Sequence, residues 1–245
     1  MDSNAVDPLS FDVSGKHVLI TGGTGGIGMA FAQAFADRGS HVVVSDIKPP
    51  AEPLRHERMR FEMLDVRDEA AVNALAAKME KLDVLIHCAG TLVPFKEHQP
   101  GVFEKIVDIH LFGNVRLAAA FRPHLKERRG CIINIGSMYS YFGNGRVPAY
   151  AAAKTAVMSL TKSLAIAYAE DGIRVNAIAP GWIDTEISKG GQNDEAFNAT
   201  VMARLPSKRW SPPVELAGTA LFLASAASSL VNGVMIPVDG GYVAS

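Results

Sequence analysis

Several features are scarce in this sequence, and each shortage excludes something. Cys88 and Cys131 are the only cysteines in 245 residues. Two are too few for a disulfide framework or a thiolate zinc site, and they read as reduced thiols of a cytoplasmic chain with no metal centre. No run of about 18 apolar residues occurs, so no segment is expected to span a membrane. No basic residue precedes Lys16 and the opening residues are not apolar, unlike a secretory leader. Neither sign of charge is in surplus: 24 Lys and Arg against 25 Asp and Glu leave a net charge of −1. Nothing electrostatic therefore points to nucleic acid or an anionic membrane. Glycine (22) and proline (13) are too sparse for a low-complexity or collagen-like chain. There is no internal repeat, charge block or long linker.

What is present is an alternation of short β-branched runs with longer amphipathic stretches. Strands are expected at 16–21, 41–46, 59–64, 83–89, 131–136, 174–179 and 234–238, and helices at 26–38, 67–79, 101–126, 148–170 and 213–224. Pro49, Pro50 and Pro53 crowd the crossover after the second strand, so no helix is expected there. Segment 182–210 has mixed polarity and reads as a mobile substrate-side segment with short helices. The pattern predicts an α/β fold over residues 1–245. This would be one domain with a Rossmann-type, doubly wound parallel sheet of about seven strands, and ligands beyond the carboxyl ends of the strands.

Residues 21–28 read T-G-G-T-G-G-I-G between the first strand and the first helix. Glycines there permit close approach, and the helix N-terminus offers free amides to a pyrophosphate. A glycine-rich turn can also close a strand–helix connection with no ligand. Its place at the head of an alternating chain favours a dinucleotide site, with Gly22, Thr24, Gly26, Ile27 and Gly28 against the cofactor. Asp46 ends the second strand, 18 residues after Gly28. A carboxylate at that point grips ribose hydroxyls and repels a 2′-phosphate, so NAD is expected over NADP, with Lys48 able to soften the choice. Asp65 and Val66, after the third strand, are placed to flank the adenine edge.

Tyr150 and Lys154 lie four apart near the start of a helix and share a face. Ser137 ends the fifth strand, on the ligand side of a parallel sheet. Oxidising an alcohol to a ketone needs a base for the hydroxyl proton. A free tyrosine has a pKa of about 10, so working near pH 7–8 needs a depression of roughly 2–3 units. A neighbouring ammonium and an oxidised nicotinamide can supply it, and Ser137 can hold the substrate oxygen.

These residues together resemble the short-chain dehydrogenase/reductase family in its common single-domain form, over nearly the whole chain. The loop at 21–28 is similar to the family's T-G-x-x-x-G-x-G. Residues 150–154 are similar to Y-x-x-x-K, 176–185 to N-x-x-x-P-G-x-x-x-T, and 238–241 to a closing V-D-G-G. The resemblance implies that Tyr150 is the acid/base, that Lys154 holds the nicotinamide ribose and lowers the tyrosine pKa, and that Ser137 stabilises the substrate oxygen. It also places Ala89, Gly90, Pro180 and Gly181 against the cofactor, with the Ile183 main chain and Thr185 on the carboxamide. Three departures stand out. The family's N-N-A-G is His87-Cys88-Ala89-Gly90 here. His110 stands where the family has an asparagine that anchors a relay water. The proline-rich span replaces a helix. His110 is expected to be a neutral, hydrogen-bonded group serving the relay from Tyr150 through Lys154. The resemblance further implies a homotetramer in which the helices from 101 and 148 pair with symmetry mates, with 151–153 permitting close packing.

Substrate specificity is expected from 91–95, 138–142, Arg146 and 182–210, with Met138, Tyr139 and Trp182 on an apolar, aromatic wall. Arg146, Lys189, Lys208 and Arg209 could each reach a carboxylate. The reading is an NAD-dependent oxidoreductase interconverting a secondary alcohol and a ketone, on a cyclic alcohol, sugar, dihydrodiol or hydroxy-acid derivative. The alternatives are an NADPH-dependent 3-oxoacyl-carrier-protein reductase, which would want a base rather than Asp46 for the 2′-phosphate, and a non-catalytic NAD-binding sensor, which would not need Ser137, Tyr150 and Lys154.

Overall fold

A computed structural model describes residues 7–245; the opening residues read above for a leader lie, up to residue 6, outside the described part. Seven parallel strands form one sheet in the order β3-β2-β1-β4-β5-β6-β7. They are β1 (His17–Thr21), β2 (His41–Asp46), β3 (Met59–Met63), β4 (Val84–His87), β5 (Cys131–Ile135), β6 (Arg174–Pro180) and β7 (Met235–Val238). The order reverses between β1 and β4, and a crevice for ligands opens at such a switch point, beyond the carboxyl ends of the strands.

The strands carry apolar residues on both faces, so alternate residues enter opposite layers. Val18 and Ile20 of β1 face one core with α1 (Gly26–Ala36) and α8 (Ala217–Ala224), where Phe31, Phe35 and Leu223 are fully buried. Leu19, between them, enters the other core with α2 (Glu69–Lys78) and α4 (Gly113–Arg128), where Leu117 and Phe121 are fully buried. Truncating any of these phenylalanines to alanine would cost about 3–5 kcal/mol. A third, smaller cluster joins Met138, Tyr139, Val201, Leu205 and Tyr242 above the carboxyl ends. It seats α6 (Lys189–Asn193) and α7 (Glu195–Arg204), the short helices expected within 182–210.

The proline-rich crossover between β2 and β3 carries no helix, as its composition predicts. The helix expected over 101–126 is not continuous. It runs as α3 (Pro100–Val107), one wide π turn (Asp108–Phe112) and then α4. Within the wide turn the His110 carbonyl accepts from Asn114 Nδ2 at 2.8 Å. On α5 (Pro148–Ala167), Ala151 and Ala153 are buried within the protomer and only Ala152 of the three is exposed. The alanine run therefore packs mainly inward: residues two apart point to opposite sides of the helix, and both sides are covered here, Ala151 by the cluster around Tyr139.

Candidate active site

The glycine loop shows why small residues are needed between β1 and α1. Gly22 has φ +64°, and a side chain there would overlap the Ala89 backbone; one at Gly28 would overlap the Gly22 carbonyl. Gly26 faces the Thr185 side chain. No side chain caps the N-terminus of α1 among the described residues, so its first amides remain available. A cradle that a Cβ would fill, backed by free helix amides, fits the pyrophosphate of a dinucleotide. Asp46 lies beside it. Its Oδ2 accepts the Thr24 hydroxyl at 2.6 Å and its Oδ1 accepts the Ile47 amide at 2.7 Å. Oδ2 also accepts the Thr24 amide at 3.3 Å, so it is Oδ1 that keeps a lone pair for a ribose hydroxyl. Asp65 is committed differently: Arg67 bonds both its oxygens and holds its carboxyl below the usual range. The neighbouring Val66 is buried against Gly113.

Over the carboxyl ends of β4, β5 and β6 opens a cavity of about 240 Å³. It brings together Ile27, Gly90, His110, Ser137, Met138, Tyr139, Tyr150, Lys154, Pro180, Gly181, Trp182, Ile183 and Thr185. Gly22, Thr24, Gly26, Gly28, Asp46, Asp65, Val66 and Ala89 do not line it; all but Ala89, which follows β4, lie on the β1–β2–β3 side, where an adenosine half would rest. The residues expected to do chemistry thus share one cavity, and those expected to hold the far end of the cofactor surround its flank.

Ser137 follows β5 and caps a 3₁₀ turn (Met138–Ser140), its Oγ accepting the Tyr139 amide at 3.2 Å. Tyr150 is the third residue of α5, so its ring projects from the first turn of a long helix. That helix start has no local side-chain cap. Instead Glu97, fully buried and 53 residues upstream, accepts the Tyr150 amide at 2.8 Å and the Val93 amide at 2.9 Å. Lys154, one turn on, is 5% exposed and donates to the Ile135 carbonyl at 2.7 Å. Its Nζ sits 5.4 Å from the Tyr150 ring centroid.

Burial dominates the electrostatics. It pushes the Tyr150 phenol up to about 12; hydrogen bonding to Ser137 pulls the other way and the Glu97 charge adds to the rise. This departs from the expected depression by Lys154. The ammonium points at a carbonyl rather than at the phenol, and burial pushes Lys154 itself down to about 8. His110 is held well below its ordinary value, first by burial and then by Lys154, so it is neutral as expected. Its Nε2 lies 2.7 Å from the Thr91 carbonyl and 3.2 Å from the Thr91 amide; the shorter contact, to an acceptor, assigns the proton to Nε2. Nδ1 is then a bare acceptor, buried and with no partner among the described residues. The ring packs edge-on against Tyr150, with centroids 5.1 Å apart. His87 is also neutral, pushed down to about 3 by burial, and bonds Thr21 Oγ1 at 2.7 Å. Burial pushes the Cys88 thiol up to about 12, so it is no nucleophile at neutral pH.

Glu97 was beyond sequence reasoning, because nothing local marks a carboxylate that caps a helix 53 residues away. Phe197 and Trp210 also line the cavity, within the segment whose mixed polarity gave no more than a substrate-side assignment. No cluster of three or more His, Cys, Asp or Glu able to hold a metal occurs among the described residues, and no described helix is long and apolar enough to cross a membrane.

Comparison with known proteins follows the same lines. A family model described as enoyl-(acyl carrier protein) reductase matches residues 22–243. The 5-keto-D-gluconate 5-reductase of Escherichia coli K12 is 35% identical over 94% of this chain and 96% of its own. The cis-4-hydroxycyclohexanecarboxylate dehydrogenase of Sinomonas cyclohexanicum is 37% identical over 94% of this chain and 97% of its own. Among solved structures, a gluconate 5-dehydrogenase from Burkholderia cenocepacia J2315, in complex with NADP and tartrate, superposes with a TM-score of 0.90. It is 34% identical, covering 97% of this chain and 99% of that one.

Proposed function

This chain belongs to the short-chain dehydrogenase/reductase family and is an NAD(P)-dependent oxidoreductase of secondary alcohols, and from that premise we propose that its substrate is a hydroxy acid, a sugar acid or a ring-hydroxylated carboxylate, oxidised to the keto acid or formed from it. The observation that carries the chemistry is the grouping of Ser137, Tyr150 and Lys154 in one cavity beside the glycine loop. The names of the two curated relatives and of the Burkholderia protein, all acids at the hydroxyl-bearing molecule, support the substrate class.

A bound nicotinamide supplies the hydride acceptor or donor. Gly22, Gly26, Gly28 and the first amides of α1 would hold its pyrophosphate, Asp46 the adenosine ribose, and Pro180, Gly181, Ile183 and Thr185 the carboxamide end. In the oxidation direction the substrate hydroxyl lies between Ser137 Oγ and the Tyr150 phenol. Ser137 donates to the oxygen and fixes its orientation. Tyr150 takes the hydroxyl proton; in reduction it gives that proton back to the carbonyl oxygen. Lys154 would hold the nicotinamide ribose, and its positive charge stabilises the phenolate when it forms. The bare Nδ1 of His110 accepts from a water that passes the proton on from Lys154. Met138, Tyr139 and Trp182 form the apolar wall against the substrate's carbon skeleton.

Asp46 supports a preference for NAD over NADP within the NAD(P) class. The NADP bound to the Burkholderia protein is the counterweight, which makes the comparison worth measuring directly. In this reading the enzyme is cytoplasmic and a homotetramer. Exposed Phe112 and Val115 beside the wide turn and Ile166 on α5 support the pairing of those helices with symmetry mates. Light scattering on the eluting protein reads the assembly.

The decisive experiment is a panel of hydroxy acids with NAD and with NADP, followed by reduced-nicotinamide absorbance, in the parent and in Tyr150→Phe. The variant should keep cofactor affinity and lose about 10²–10⁴-fold in turnover. Near-parental turnover would assign the proton to another group.

A further inference from the structure

Segment 182–210 carries Lys189, Arg204, Lys208 and Arg209, and Arg146 stands on a pocket loop; the structure accounts for all but the last. Arg204 donates to the Ser245 carbonyl at 3.1 Å and stacks on Phe142 and Tyr242. Lys189 pairs with Asp184 at 2.6 Å. Arg209 pairs with Glu215 at 2.8 Å. Lys208 spends its ammonium on the Met202 and Ala203 carbonyls at the end of α7, at 2.7 and 3.0 Å. Arg146 is the exception. It lines the cavity, yet among the described residues its guanidinium makes no ion pair and no hydrogen bond.

Arg146 is nevertheless held firmly. Its amide donates to Asn144 Oδ1 at 2.8 Å and its carbonyl accepts the Phe95 amide at 2.7 Å. The preceding Gly145 carbonyl bonds His98 Nε2 at 3.1 Å. The guanidinium carbon lies 4.7 Å from the Phe95 ring centroid and 4.2 Å from that of Phe197. Aromatic rings satisfy a guanidinium through its charge but accept none of its five N–H donors in good geometry. A planar fork so placed, with its donors unspent, suits bidentate capture of a carboxylate. The rest of the cavity agrees. Arg146 and Lys154 are the charged side chains that line it, and no Asp or Glu does. Lys154 is already engaged with the Ile135 carbonyl. An acid entering the cavity meets one uncompensated cation, Arg146, in the same space as the Ser137–Tyr150 pair.

We propose that Arg146 is the carboxylate anchor of the substrate site, fixing the acid end so that the hydroxyl-bearing carbon reaches Ser137 and Tyr150. This rests on the hydroxy-acid reading above, and its failure can be told apart from failure of that reading. The competing role is mechanical: Arg146 would only glue the loop at 91–97 to α7 through Phe95 and Phe197.

The test compares matched acids and amides: D-gluconate against D-gluconamide, and cis-4-hydroxycyclohexanecarboxylate against its carboxamide. Binding is followed by tryptophan fluorescence, since both tryptophans of the chain, Trp182 and Trp210, line the cavity, and KM is measured for any compound turned over. In the parent protein at least one acid should bind more than about tenfold tighter than its amide, as a charge-assisted pair contributes. In Arg146→Met and Arg146→Gln that acid-to-amide ratio should fall to within about threefold of unity. Arg146→Lys, keeping the charge but losing the fork, should restore part of it. A melting curve identifies which variants are folded, and either the Met or the Gln variant suffices. A parent with no preference for either acid overturns both the anchor and the substrate class. A parental preference that survives in the folded Met or Gln variant overturns the anchor alone. Weaker binding of acid and amide together, with the ratio kept, assigns Arg146 to the mechanical role and also overturns the anchor.

Discussion

Glu97→Gln tests whether the wall of the pocket and the acid/base are joined. The carboxylate is fully buried and accepts two backbone amides, those of Val93 in the wall and Tyr150 at the start of α5. Glutamine has nearly the same shape but one acceptor oxygen, so its NH₂ must confront one of the two amides. Leaving a buried amide without a partner costs about 1–3 kcal/mol, and the surviving bond loses its charge assistance. The sum is about 2–4 kcal/mol. In a chain of 245 residues each kcal/mol moves Tm by about 2–4 °C, so a fall of roughly 4–16 °C is expected by calorimetry. A second effect has the opposite character. The Glu97 charge disfavours the phenolate and so raises the Tyr150 pKa. A neutral side chain removes that repulsion, and the pKa falls. Alcohol oxidation rises with pH as the phenol gives up its proton, so the rising limb of kcat should move to lower pH, by on the order of one unit, or about 1.4 kcal/mol. A purely structural cap would lower Tm and leave the limb in place. A parental Tm together with an unmoved limb would refute the coupling outright.

Asp46→Ala should shift the ratio of catalytic efficiencies towards NADP by at least about tenfold, or roughly 1.4 kcal/mol, because it removes the charge that opposes a 2′-phosphate; equal ratios in parent and variant would move the choice to Lys48. His110→Asn should retain much of the turnover by holding the relay water, while His110→Ala should lose at least several-fold with cofactor affinity unchanged. Because His110 is held neutral well below its ordinary pKa, no step near pH 6.5 in the kcat profile should disappear in either variant. Parental turnover in both at every pH would make His110 a packing residue.

The sheet was legible because β1, β2, β4 and β5 each carry three consecutive apolar residues between turn signals, and such runs in alternation with helices have few other solutions. The glycine loop was legible because its requirement is steric and local, as Gly22 and Gly28 show. Ser137, Tyr150 and Lys154 were legible because strand end and helix pitch bring them to one side. Less could be read where contacts are remote or where energies nearly cancel. The cap from Glu97 joins segments 53 residues apart. The commitment of Asp65 to Arg67 depends on a side-chain choice that two adjacent charges do not reveal. The tyrosine pKa turns on burial against charge, and spacing along a helix does not weigh those two. Arg146, Lys189, Lys208 and Arg209 looked alike as residues; only the pairing of the other three separates Arg146.

The wide turn at Asp108–Phe112 has a meaning for how this chain can be edited. It is equivalent to one residue inserted into an otherwise regular helix. Each residue of an α-helix advances the screw by about 100°, so deleting one residue from the turn would rewind α3 onto α4 as a continuous rod. Every side chain on one flank would then swing by that angle relative to the other, and His110 would leave its place beside Tyr150 and Thr91. The same length change in the proline-rich crossover between β2 and β3 would be absorbed by loop closure at a cost of a fraction of a kcal/mol. When homologous sequences are aligned, a gap belongs in the crossover and not in this turn. A natural homologue that does carry one there should also have rebuilt the residues that meet Tyr150.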